Sequence, residues 1–297
     1  MSGASVTQHA LRLVDTSVSG SKILIERVEE RKFPDPLFFT PSSETISDSL
    51  ETVFLHLSSI ADSNTQPISI TLPVSMFLMQ QLYTPLQLLH SERLHEFRWE
   101  LSLLYPDENF GEMILQSFPL ESGVEKHPPE TLLIGIRKDV MMALMQVAES
   151  RQFRLQSVDH PAIALYKYAA QRFRHLNGYA LAAFLDSGFL TVIITHKGAL
   201  SAAQVFQLKP HDLILKTILD FITATERKWG KEISFEEAYI SEQYESGAEL
   251  QKKLKCPVRD LNAIVRIASS DYLFRSKEQE DLLSGSLLAL GSAMPLP

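Results

Sequence analysis

The chain has 297 residues, enough for one large domain or two ordinary ones. Its 45% hydrophobic and 22% charged content is that of a globular protein with a sizeable core, and the net charge of −8 argues against a general nucleic-acid binder, which carries a basic face. Cys256 is the single cysteine, so neither an intrachain disulfide nor a cysteine-built zinc site is available, and a reducing compartment is the simpler setting.

The opening residues (MSGASVTQHALRLVD) lack the charged start and apolar core of a signal peptide. No run approaches the roughly 18 apolar residues of a membrane-spanning helix. Residues 9–16 and 22–29 read as short strands, with a turn at Thr16–Ser21 (TSVSGS) between them and a third short strand expected over Pro36–Thr40. Across Thr45–Ala61, Ile46, Leu50, Val53, Phe54, Leu57 and Ile60 recur on one helical face, and Gln66–Leu72 reads as a strand. A strand at Met76–Gln80, a helix at Pro85–Leu104 and strands at 113–118 and 131–137 make a strand–helix–strand–strand insert. A helix at Asp139–Ser150, a strand at Phe153–Val158 and a helix at His160–Phe173 then complete the first domain.

The second half repeats this order. Strands fall at 179–185, 190–196 and 200–207, a helix at His211–Trp229, a strand at Phe235–Ile240 and a helix at Ser246–Leu254. A helix at Glu278–Leu290 closes the chain. Strand–strand–strand–helix–strand therefore occurs twice, without sequence identity between the copies.

Tyr179–Gly198 (YALAAFLDSGFLTVIITHKG) gathers a carboxylate, a glycine and a hydroxyl at a strand–turn–strand: Asp186, Gly188 and Thr191. Turn amides and a hydroxyl could meet a phosphate there, and the carboxylate could hold a hydrated Mg²⁺; an ordinary hairpin gives the same pattern. Asp15 and Lys22 at the earlier turn read either as relics of a phosphate loop or as plain turn polarity. His90 and His95 stand five apart on their helix, which is not a metal-binding spacing. Asp159-His160 tempts a catalytic reading, but Pro161 marks a helix start. Met141, Met142 and Met145 read as an adaptable surface or, for at least one of them, as core. The helix holding Phe97, Trp99 and Leu101 is apolar on more than one side, which means burial against the first domain or an exposed docking surface.

Several stretches, in order, resemble the PilM family of type IV pilus assembly proteins, close to the division protein FtsA within the actin-like ATPases. They are Ile70–Pro73 (ITLP), Glu100–Pro106 (ELSLLYP), Leu132–Asp139 (LLIGIRKD) and, after a helix, Phe153–Ala164 (FRLQSVDHPAIA). The 185–191 turn, Ile240–Leu254 (ISEQYESGAELQKKL), Pro257-Val258 and Ser286–Ser292 (SLLALGS) follow. The resemblance implies an α/β, actin-like (ribonuclease H-like) pair of duplicated domains. Residues 1–75 and 138–177 form the first, 76–137 a small strand–helix–strand–strand insert, and 178–297 the second, with a reduced cleft subdomain because one helix stands where the family has more.

The family binds ATP on two D-x-G hairpins and a G-G turn. Here the vestigial nucleotide-binding set would be Asp15 and Lys22 on the first hairpin and Asp186, Gly188 and Thr191 on the second. Asp15-Thr16-Ser17 lacks the glycine, and Ser241-Glu242-Gln243-Tyr244 would crowd the adenosine. The resemblance thus implies a cytoplasmic scaffold at the inner face of a bacterial inner membrane, with no catalytic residues, metal or cofactor. Its partner is the cytoplasmic tail of an inner-membrane pilus or secretion protein, held near the insert, with no direct membrane insertion and self-association left open. The alternatives are an active family member that binds ATP and Mg²⁺, a sugar or acyl kinase of the same superfamily, and the related cytoplasmic domain of a type II secretion protein.

Overall fold

The computed structural model describes residues 1–19, 22–39, 43–61, 67–125, 127–209, 213–241, 247–264 and 277–297. The first half runs β1 (Ser2–Val6), β2 (Ala10–Ser19), β3 (Lys22–Lys32), α1 (Ser43–Ile60), β4 (Ile68–Thr71), β5 (Phe77–Tyr83), α2 (His90–Leu104), β6 (Met113–Leu120), β7 (Glu130–Arg137), α3 (Lys138–Ser150), β8 (Leu155–Asp159) and α4 (Pro161–Phe173). The second runs β9 (Tyr179–Asp186), β10 (Phe189–His196), β11 (Ala199–Gln207), α5 (Ile214–Trp229), β12 (Phe235–Ile240), α6 (Gly247–Leu254), β13 (Val258–Asp260), α7 (Lys277–Gly285) and α8 (Leu287–Ala293).

Two five-stranded mixed sheets have matching orders, β3-β2-β1-β4-β8 and β11-β10-β9-β12-β13. In each, three strands form an antiparallel meander, and the first of them pairs in parallel with the fourth strand. The duplicated α/β architecture expected from the sequence is therefore present.

The first sheet carries α1 and α3 on one face, where Ile46, Leu50, Val53, Phe54, Leu57 and Ile60 are all buried, as their spacing requires. Its other face receives α8, which packs on β1, β2 and β4 and also on α4. The approach is close. A Cβ on Gly3 would stand 2.0 Å from the Ala289 carbonyl oxygen, and one on Gly291 would stand 2.0 Å from that of Ala164. α4 in turn lies against the second sheet, so α8 and α4 fill the space between the two sheets. α5 covers the far face of the second sheet with Ile218, Phe221 and Ile222. A buried polar group binds these layers together. Lys167 Nζ on α4 donates to both carboxylate oxygens of Asp159 (3.0 and 2.7 Å), Ser292 Oγ donates to Asp159 Oδ2 (3.0 Å), and Thr71 and Ser292 share a hydroxyl contact (2.7 Å).

The insert is a sheet of order β5-β7-β6 under α2, which buries Phe97 and Leu101 against Phe110 and Leu133. It also meets the second domain: the Glu121 amide donates to the Leu200 carbonyl (2.9 Å) and the Tyr179 hydroxyl to the Ser122 carbonyl (2.6 Å).

Five expectations are corrected. A strand over Ser2–Val6 precedes the two that were expected, and residues 36–39 are irregular. Thr16–Ser19 continues β2 rather than turning. The helix expected from Pro85 begins at His90. The closing helix breaks at Ser286 (φ −97°, ψ 10°), and its second half packs on the first sheet rather than on the second domain to which its position in the chain assigned it.

Candidate functional site in the cleft between the two sheets

Duplicated topology identifies which turns correspond. β9 and β10 are joined by the two-residue turn Ser187-Gly188, flanked by the pair Asp186 and Phe189. Both turn residues have positive φ, 50° and 80°, as a tight hairpin with right-handed strand twist demands; glycine adopts this freely and serine does not. The corresponding connection in the first domain is Thr7–Ala10, between β1 and β2. It is not the turn after Asp15. Asp15 lies within β2 and accepts from Arg27 Nε at 2.7 Å, while Lys22 opens β3 opposite Ser19. Asp15 is not among the residues that line the cleft, so the first candidate hairpin moves one strand toward the N-terminus, where Val6, Thr7 and Gln8 line it.

That first turn satisfies itself. The His9 and Ala10 amides donate to Thr7 Oγ1 (3.2 and 3.0 Å), and both Thr7 Oγ1 and the Thr7 amide donate to the Ala10 carbonyl (3.2 and 2.9 Å). A phosphate-gripping turn keeps such amides aimed outward at the anion. Here they are engaged.

The second turn presents Asp186. Its Oδ1 accepts from Ser187 Oγ (3.2 Å) and lies 3.5 Å from Arg12 Nη1. Arg12 reaches across from β2 and also donates through Nε to Glu30 (2.7 Å), so a Glu30–Arg12–Asp186 chain of charges spans the two domains. Burial pushes the Asp186 carboxyl above its usual range, and the neighbouring guanidinium opposes that rise. Thr191 is buried in the cleft wall. Gly188 has φ +80° and open space where a side chain would go.

The cleft holds about 590 Å³ of empty space, open solvent included. Val6, Leu72, Pro73, Phe184, Phe189 and Leu288 give it apolar walls, and among the described residues Asp186 is the one charged side chain lining it. Among the described residues no lysine or arginine faces it and no cluster of three metal-ligating side chains exists. An ATP phosphate tail at the first turn would therefore find the His9 and Ala10 amides already engaged and, among the described lining residues, no lysine or arginine. Of the adenosine position, Ser241 is described, and its Oγ accepts from the Leu185 amide at 3.4 Å. Glu242, Gln243 and Tyr244 lie outside the described residues, as do Gly20 and Ser21.

The other candidates have structural roles. His160 is the N-cap of α4, with Nδ1 accepting from the Ala162 amide (3.1 Å), and burial holds its pKa down at about 3. His95 is exposed. Met141 packs against the first core, whereas Met142 and Met145 are exposed.

No protein-family model matches the sequence, and no curated protein matches it significantly. Solved structures do match. A chain of the PilM–PilN type IV pilus biogenesis complex is 15% identical with a TM-score of 0.69, and the match covers 98% of this chain and 97% of that one. A Bacteroides thetaiotaomicron protein with actin-like ATPase fold and unknown function gives 13% identity over 95% of this chain and 93% of that one, with a TM-score of 0.49. The cytoplasmic domain of EpsL, an inner-membrane component of the Vibrio cholerae type II secretion system, gives 9% identity over 80% of each chain and a TM-score of 0.48. At such identities the likeness is one of fold. This chain has the α/β actin-like ATPase fold, in correspondence along nearly its whole length with a chain of that pilus biogenesis complex.

Proposed function

We propose that this chain is a docking scaffold that holds the cytoplasmic tail of an inner-membrane protein in a type IV pilus or related secretion assembly, without turning over ATP. The observation that carries the reading is the first hairpin, where Thr7 Oγ1 takes up the His9 and Ala10 amides that would otherwise be available to an anion. The lining of the cleft supports it, since among the described residues no lysine or arginine lines it. The full-length correspondence with a chain from the PilM–PilN complex supports the assignment to a pilus or secretion assembly. In this reading the protein works from the cytoplasmic face of the membrane; among the described residues no helix is long and apolar enough to cross it.

Two measurements test the proposal together. The chain should co-purify with the cytoplasmic tail of its inner-membrane partner, expressed as a fusion. Fluorescent ATP with Mg²⁺ should give no saturable signal up to about 1 mM, which bounds any binding free energy near −4 kcal/mol. Saturable Mg-ATP binding that disappears in Asp186→Ala, together with phosphate release, would establish a working ATPase instead.

A further inference from the structure

The insert presents an apolar surface that no other part of the described chain covers. α2 uses its inner face, Phe97 and Leu101, to bury the insert's own sheet. Its outer face is apolar as well: Leu89, Trp99 and Leu103 are 70%, 57% and 62% exposed. At 3.6 residues per turn, Leu89, Glu92, Glu96, Trp99 and Leu103 fall within about 80° of one another, on the side away from Phe97 and Leu101. They form one stripe with two carboxylates at its middle and apolar side chains at both ends. Two exposed leucines and an exposed tryptophan on so short a helix cost solvation without serving the fold, and tryptophan is among the residues that most often anchor a binding hot spot.

Charge identifies what fits. The two arginines of α2 are directed at backbone carbonyls: Arg93 Nε donates to Leu88 (2.9 Å) and Arg98 Nε to Phe110 (3.3 Å). Glu92 accepts from the Leu89 amide (2.8 Å) at the start of the helix, and Glu100, next to the stripe, is raised above its usual carboxyl range first by burial and then by the nearby Glu96. A second copy of α2 laid antiparallel would set Glu96 against Glu96, a like-charge contact. An anionic lipid surface would be repelled by the same carboxylates and by the net charge of −8. The complement is a helix with cations at its middle and apolar anchors at its ends. Spanning Leu89 to Leu103 takes about 21 Å of helix, or four turns.

We propose that the outward stripe of α2 docks a basic amphipathic helix of about four turns, with Lys or Arg between two apolar anchors. This surface is separate from the cleft and does not depend on the reading of the cleft given above.

The chain supplies its own reporter. Trp99 and Trp229 are its two tryptophans, and Trp229 is buried, so Trp229→Phe leaves Trp99 as the sole emitter. The titrant is a synthetic 16-residue helical peptide with lysines at its centre and leucines at its ends. Trp99 emission should shift to the blue and saturate, and the affinity should fall at least tenfold in Glu96→Lys and on raising salt from about 50 to about 300 mM. The same peptide with glutamates in place of lysines should give no shift. Anisotropy of a labelled peptide with the unsubstituted protein repeats the measurement without relying on Trp229→Phe folding. Absence of binding up to about 1 mM overturns the proposal. So does an equal response to the acidic peptide, a shift on concentrating the protein alone, or a shift produced by anionic vesicles.

Discussion

Lys167→Met tests whether the layers between the two sheets depend on one buried ion pair. Lys167 and Asp159 side chains are 6% and 8% exposed, and the ammonium donates to both carboxylate oxygens. Met fills much of the same volume but leaves Asp159 charged and buried beside Ser292 alone. Breaking one side of such a pair costs about 3–5 kcal/mol. The surviving hydroxyl donation from Ser292, worth about 1.5–3 kcal/mol as a bond to a charged group, places the expectation at the lower end, near 3 kcal/mol. On a chain of this size that is a fall of about 6–12 °C in Tm. Urea unfolding followed by circular dichroism measures it. The double variant Asp159→Asn/Lys167→Met, which leaves no orphaned charge, should recover more than half of the loss. A cost below about 1 kcal/mol, or a double variant no better than the single, would refute the reasoning.

Three further outcomes are expected. His160 has a pKa of about 3 in the folded chain against about 6.5 when unfolded, so acid favours the unfolded state. Stability should fall by about 1.4 kcal/mol per pH unit from about pH 6.5 downward; His160→Asn, which keeps an N-cap acceptor, should flatten that slope in denaturation series from pH 7 to 4, and an unchanged slope would show another group responsible. Gly291→Ala places a methyl group 2.0 Å from the Ala164 carbonyl oxygen and should destabilise by about 2–3 kcal/mol in thermal melts, whereas a neutral result would mean α8 can lift from α4 without penalty. Arg12→Leu removes the cation beside Asp186, so the carboxyl pKa, already raised by burial, should rise further in a carbon-13 titration, and no movement would show that the 3.5 Å contact carries no charge coupling.

The repeated element order was legible because α1, α5 and the meander β9–β11 have clean periodicities, set by one face in the core and one outside. β1 was not legible. Its sequence, Ser-Gly-Ala-Ser-Val, has no alternation and β-branched bulk only at Val6, because α8 presses so closely on it that Gly3 has no room for a side chain. Missing that strand shifted the first hairpin from Thr7 to Asp15. The turn that carries Asp186 was legible because Asp-Ser-Gly stands between two apolar runs, and the structure gives Ser187 and Gly188 the positive φ such a turn demands. Thr7 has no such signal: a Thr-Gln-His turn becomes informative only once its hydroxyl is seen to hold its own amides. The double apolar character of α2 was visible in the chain, but only the packing of Phe97 and Leu101 separates the structural side from the exposed one.

The placement of α8 bears on how the protein can be made. Thr71 meets Ser292 across 221 positions of sequence, and Gly3 abuts Ala289. A ribosome working from the N-terminus releases the first sheet long before the helix that closes it, so that sheet waits with an apolar face uncovered while the second domain is synthesised. Assembly of both halves is thereby coupled to the last turn of polypeptide, and truncation before Leu287 should yield an aggregation-prone chain rather than a smaller folded domain.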